Sequence, residues 1–261
     1  MQFIRIITHG PHHAFFNMAL DEAISEAVRQ NLFPPTLRLY QWSRPSVTIG
    51  YFQRISEINI NYCNKKEYPV VRRATGGRAI LHDMELTYSF SASKKSSLFN
   101  GSLLENYAVI SNALVLGLNM IGINARISFV KKGSGSSRNS ACFKSVSYGE
   151  VTVDGRKVIG SAQKRYHDGF LQQGSIMLHF HARDLCSVLN ENNEEDFNEV
   201  GSICNIGKEI TFGDLKNPLK EAFEKELNVK LISDGPSKFE LTLAKELEEK
   251  KYSTQEWNFL R

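Results

Sequence analysis

No stretch of this 261-residue chain is apolar over anything near the roughly 20 residues that a bilayer-spanning helix needs. A transmembrane helix is therefore excluded, and no membrane partner is expected. The opening MQFIRIITHG is broken by Arg5 and lacks the long apolar stretch of a secretory signal. Cysteine is sparse: four thiols stand at 63, 142, 186 and 204, with no CxxC spacing and no Cys/His set of zinc type. That argues against a disulfide framework and a structural metal, and for a reducing, cytoplasmic setting. His9, His12 and His13 cluster around Gly10-Pro11, but without a neighbouring carboxylate or cysteine pattern they predict a turn and no metal. Charge of one sign is also missing. Lys and Arg number 32 against 28 Asp and Glu, a net +4 spread along the chain. Nucleic acid is not called for, whereas an acidic protein partner is compatible. Repeats and linkers are absent as well, so one domain over residues 1–261 is expected.

What is present reads as an α/β (α+β) fold, a mixed sheet with packed helices. Strands are expected at 2–7, 37–41, 46–50, 69–73, 85–92 and 171–180. Asp154-Gly155 between apolar runs is the strongest hairpin signal, joining strands at 148–153 and 156–160. Asn17 is the expected N-cap of the first helix. Ser102 with Glu105, and Ser237 with Glu240, have capping-box spacing. Asn217-Pro218 is expected to open another helix, with proline in its first turn. Gly133 to Ser137 forms a small-residue loop.

Two segments carry chemistry. In the first, a strand ending in Arg72-Arg73 runs into Ala74-Thr75-Gly76-Gly77-Arg78-Ala79, with His82 and Asp83 beyond. Glycines there let backbone N–H groups approach a ligand, and an arginine beside them can polarise a carbonyl or hold an anion. Alternatively the segment is a plain turn with surface arginines. It is not a P-loop, since no Gly-Lys-Ser/Thr follows. Neighbours on a strand point to opposite faces, so one arginine is expected at the site, and Arg73 is nearer the loop. In the second segment, Cys142 follows the small-residue loop and Lys157 comes fifteen residues later, just past the Asp154-Gly155 turn. That turn can bring amine and thiol together, and a fixed ammonium favours a thiolate below the reference pKa of about 8.5. A buried thiol and a surface lysine remain the other reading. Gly160-Ser161-Ala162 are small enough for an acyl chain to lie against the backbone, or simply pack as a strand. His82 either orients the loop or is packed within it.

Together these segments resemble the lipoate–biotin protein ligase superfamily, specifically its lipoate branch. RRATGGRAILHD looks like the branch's acyl-binding signature. GRKVIGSAQKR followed by LQQGSIML, which contains Gly174, looks like its lysine-bearing segment and next strand, and KYSTQEWN like its closing motif. The motif-bearing core covers about residues 30–258. Within the branch, the cysteine of SACF, the Arg78 in place of a third glycine and the lack of a domain after Trp257 match octanoyltransferases of the Gram-positive kind. An ATP-dependent lipoate–protein ligase is the rival of the same fold. A relay between lipoyl domains and a non-catalytic binding module are further alternatives.

The resemblance implies octanoyl-acyl carrier protein as donor and Cys142 as the thioester-forming nucleophile. Lys157 would be its partner, and Arg72, Arg73, Thr75, Gly76, Gly77, Arg78, Ala79, His82, Gly160, Ser161, Ala162 and Gly174 would bind substrate. It also implies a lipoyl-domain acceptor, such as the glycine cleavage H protein, and no nucleotide or metal cofactor.

Overall fold

The computed structural model describes residues 2–128, 149–191, 193–204 and 209–261. In chain order the first half contains β1 (Phe3–His12), α1 (Ala14–Arg29), β2 (Thr36–Trp42), β3 (Ser46–Ile49), α2 (Ile60–Lys65), β4 (Val70–Arg72), β5 (Ile80–His82), β6 (Glu85–Ser93), α3 (Leu103–Met120) and β7 (Ala125–Ile127). The second half contains β8 (Val151–Val153), β9 (Arg156–Arg165), β10 (Gly169–Met177), α4 (Ala182–Val188), α5 (Phe212–Leu227), β11 (Lys230–Ser233), α6 (Lys238–Leu247) and α7 (Gln255–Asn258). Among the described residues the strands form an eight-stranded mixed sheet, β11-β1-β2-β6-β10-β9-β8-β7, and a three-stranded sheet, β4-β3-β5.

The large sheet has two buried faces of opposite character. Along β6, Leu86, Tyr88, Phe90 and Ala92 join an apolar core with Ile110, Leu114 and Leu118 of α3 and Leu219 and Phe223 of α5. Every residue of β6 is buried, yet the alternate positions Glu85, Thr87, Ser89 and Ser91 are polar. Buried polar groups need partners, and α1 supplies a central one. Asp21, fully buried, accepts from Arg38 Nη1 at 2.7 Å, Tyr40 Oη at 2.8 Å, Ser89 Oγ at 2.7 Å and Gln173 Nε2 at 2.7 Å. Burial and the nearby Asp21 carboxylate hold the Tyr40 phenol well above its usual range, so it stays a donor.

The capping boxes at Ser102–Glu105 and Ser237–Glu240 are formed, and Asp154 and Gly155 both take positive φ, 49° and 77°, as a two-residue hairpin turn requires. Two expectations need correction. His13, not Asn17, caps α1, accepting from Phe16 N at 3.4 Å. Asn17 lies inside the helix, where its amide donates to the carbonyls of His12 and Gln41 and its side-chain oxygen accepts from Arg38. Pro218 does not open a helix. Thr211 caps α5 in a box with Asp214, and Pro218 lies within that helix. The small-residue loop at 133–137 and Cys142 lie outside the described residues.

Candidate active site

Between the polar face of the large sheet and the small sheet lies a narrow cavity. Met18, Tyr40, Trp42 and Ile80 supply its apolar walls, and the backbone-dominated residues Gly160, Ala162 and Gly174 line it as well. Glycine at 174 is a packing requirement, since a Cβ there would lie 2.3 Å from the Tyr88 ring. That ring is held by its hydroxyl, 2.6 Å from Ser161 Oγ and 2.9 Å from Gln172 Nε2, and burial raises its pKa to about 12.

Six of the sequence-selected residues line this cavity: Arg73, His82, Gly160, Ser161, Ala162 and Gly174. Arg73 is buried and donates to the carbonyls of Gly76 and Arg78, both at 2.7 Å, which fixes the glycine loop. Its other amino group donates to Thr48 Oγ1 at 3.0 Å. Thr48 Oγ1 in turn lies 2.8 Å from His82 Nε2, and His82 Nδ1 lies 2.7 Å from Glu85 Oε1. Thr87 donates to the same Glu85 oxygen and accepts from Trp42 Nε1 at 2.7 Å, while the Trp42 ring stacks on His82 at 4.1 Å. With Nδ1–H donating to Glu85, Nε2 accepts from Thr48 and every group has a partner. His82 is thus packed against Trp42 and joined through Thr48 to the arginine that holds the loop.

The other selected residues are placed differently. Arg72 is not a wall of the cavity. It is fully buried, and its guanidinium donates to the carbonyls of Gly50, Tyr51, Gln53, Trp257 and Asn258 at 2.7–3.1 Å. Its backbone N–H donates to Asn258 Oδ1, and its carbonyl accepts from Trp257 Nε1. Arg72 therefore joins the first motif to the closing one. Thr75 donates to Gln173 at 2.9 Å, Arg78 pairs with Glu57 at 3.0 Å, and Ala79 packs in the core beneath the small sheet. Gly77 takes φ 89°. Lys157 is fully buried in β9, with its ammonium against the Glu150 carboxylate, and it is not a wall of the cavity. Because Cys142 lies outside the described residues, its pairing with Lys157 is not placed.

Thr48, Glu85, Thr87, Trp42 and Gln173 were not selected from sequence; single polar residues in separate strands carry no local signal of convergence. Glu150 escaped for a further reason: a register shift between Val151 and Thr152 changes which residues of β8 and β9 face each other. Among the other thiols, Cys63 is buried, which pushes it up to about 11 and suits a structural role. Among the described residues no cluster of three or more His, Cys, Asp or Glu side chains is arranged to hold a metal.

Known proteins share this architecture. The chain is 38% identical to an octanoyltransferase LipM from Carboxydothermus hydrogenoformans, with 99% of both chains covered. It is 36% identical to the octanoyltransferase LipM of Bacillus subtilis, with 98% of each chain covered. In structure it superposes with a TM-score of 0.82 on a putative lipoate protein ligase from T. acidophilum with bound lipoic acid, at 25% identity and over the whole of both chains. Fold, site and relatives together define an acyltransferase. The chain belongs to the lipoyl protein ligase A/B catalytic domain family, whose model matches residues 13–224.

Proposed function

We propose that this enzyme transfers an octanoyl group from octanoyl-acyl carrier protein, through a thioester on Cys142, to a lysine of a lipoyl domain, with the glycine cleavage H protein as acceptor. The observation that carries the reading is the cavity itself. Its apolar walls and bare backbone at Gly160, Ala162 and Gly174 suit an unbranched acyl chain, and the Arg73-fixed loop stands beside it. The kinship with named octanoyltransferases supports the choice of acyl group.

In the first half-reaction the Cys142 thiolate attacks the thioester carbonyl. A new C–S bond forms, the old one breaks, and the carrier leaves as its thiolate, which takes a proton from water. In the second, the acceptor amine attacks the Cys142 thioester, a C–N bond forms, the C–S bond breaks, and the amine's proton passes to the departing Cys142 thiolate. Both steps pass through an oxyanion. Backbone amides near Gly76 and Gly77 stabilise it, and Lys157 adds positive charge. An ammonium paired with Glu150 is nearly neutral at a distance. Lys157 must therefore act on thiol or oxyanion at contact range.

The thioester already holds the activation energy, so nucleotide is not required. With octanoyl-acyl carrier protein, H protein and a chelator but no ATP, octanoylated H protein should accumulate. Strict dependence on ATP and magnesium, with free octanoate or lipoate as donor, would make the enzyme a ligase.

A further inference from the structure

Strand β4 is three residues long and runs straight into the glycine loop, so its last residue, Arg72, is where that loop departs. On one side β4 pairs with β3, with Val70 beside Val47 and Arg72 beside Ile49. Among the described residues its other side is an edge of the small sheet. The peptide groups of Arg72 on that side are nevertheless paired. Arg72 N donates to Asn258 Oδ1 at 2.8 Å, and Arg72 O accepts from Trp257 Nε1 at 2.8 Å. Two side chains of α7 thus stand where a neighbouring strand would put its backbone. Asn258 is buried, and its Nδ2 donates to Tyr252 O at 2.8 Å. Tyr252 is fully buried in turn, and its hydroxyl donates to Glu22 of α1, the helix whose Met18 lines the cavity. Lys251 strengthens the same tie, with Nζ 2.6 Å from Glu22 and 4.0 Å from the Trp257 ring. Asn258 therefore lies between the helix that supplies Met18 and the strand that delivers the glycine loop.

We infer that Asn258 is a positioning residue for acyl transfer: through Arg72, and with Trp257 beside it, it sets where the glycine loop leaves β4. This rests on the reading above that the loop belongs to the transfer site. The contacts that would carry a shift of Arg72 into the loop are short. Arg72 Nη1 donates to the carbonyls of Gly50, Tyr51 and Gln53. Tyr51 N donates to Thr75 O at 2.9 Å, and Arg73 N donates to Ile49 O at 3.0 Å. Gly50 leaves no slack, since a Cβ there would lie 1.9 Å from Gly77 O. The residue type follows from the task. One short side chain must accept from Arg72 N and donate to Tyr252 O, and an amide does both. A carboxylate keeps only the acceptor, and an aliphatic side chain keeps neither.

The test follows amide hydrogen exchange in the enzyme alone and, separately, steady-state octanoyl transfer. The amides of Tyr51 and Arg73 are bonded to Thr75 O and Ile49 O, not to Asn258, so they report what passes beyond Arg72. In Asn258→Leu both should exchange about tenfold faster, the effect of one lost buried hydrogen bond. Amides of α3 and α5 should keep their rates. Turnover should fall by up to about a hundredfold, with KM for the acceptor lipoyl domain unchanged. Asn258→Asp keeps the acceptor oxygen and should restore slow exchange and most of the turnover. Trp257→Phe keeps the ring and loses only the indole N–H, so it should loosen the same two amides, and it carries the test should Asn258→Leu not fold. Exchange needs no substrate, so failure of the proposed reaction would leave it readable. Unchanged exchange at Tyr51 and Arg73 in both Asn258→Leu and Trp257→Phe would overturn the inference. So would a uniform rise that includes α3 and α5, loosening with wild-type turnover, or no recovery in Asn258→Asp.

Discussion

At the residue scale, the adjacent arginines show how strand geometry divides labour. Arg72 and Arg73 leave the backbone in opposite directions. One ties the Gly50 turn to the closing helix α7, and the other ties the glycine loop to Thr48. Hydrogen bonds to a charged donor are worth about 1.5–3 kcal/mol each, so both arginines hold the backbone they touch firmly. His9 is a residue of another kind. Burial, the charge of Arg38 and then His12 lower its pKa to about 4, and its Nδ1 is buried without a partner among the described residues. In the unfolded chain the imidazole binds its proton near pH 6.5. Between that pH and about 4 the unfolded state binds more protons, so stability should fall as pH falls through this window. His12 is shifted the same way by burial. Urea unfolding of His9→Asn at pH 7 and pH 5 should show a smaller loss of stability than the wild type shows. An equal loss would place the acid sensitivity elsewhere.

At the scale of elements, the site depends on two backbone turns in contact. Gly50→Ala inserts a methyl group where Gly77 O stands, so the glycine loop must move. Misplacement of about 1 Å can cost on the order of a hundredfold in rate. Acyl transfer by Gly50→Ala should fall by that order while the protein still folds, as judged by circular dichroism and thermal unfolding. Wild-type transfer in a folded Gly50→Ala would show that the loop position is not critical. The elements were legible in sequence wherever the signal was local. The boxes at Ser102 and Ser237 and the Asp154-Gly155 turn are short motifs whose chemistry acts on the nearest backbone. Asn17 misled because its side chain serves Arg38 and two strand carbonyls instead of the helix end. Pro218 misled because the box seven residues earlier sets the start of α5. Three-residue strands such as β5 and β7 are too short to show a period.

At the scale of the molecule, the sheet has two faces. One builds the apolar core with α3 and α5, and the other buries polar residues that Asp21 and Glu85 organise around the cavity. From the motifs at 72–82 and 157–162, sequence alone selected Arg73, His82, Gly160, Ser161 and Ala162, which line the cavity, because those residues are contiguous and chemically dense. The supporting Thr48, Glu85, Thr87 and Gln173 became visible only when the strands were brought into register. The central claim is that Cys142 carries the acyl group. Intact-mass analysis of the enzyme mixed with octanoyl-acyl carrier protein, without ATP or acceptor, tests it most directly. The expected result is the gain of one octanoyl group by the wild type, released by hydroxylamine, with no gain and no subsequent transfer in Cys142→Ala. Full transfer activity in Cys142→Ala, or an adduct that persists without the thiol, would contradict it.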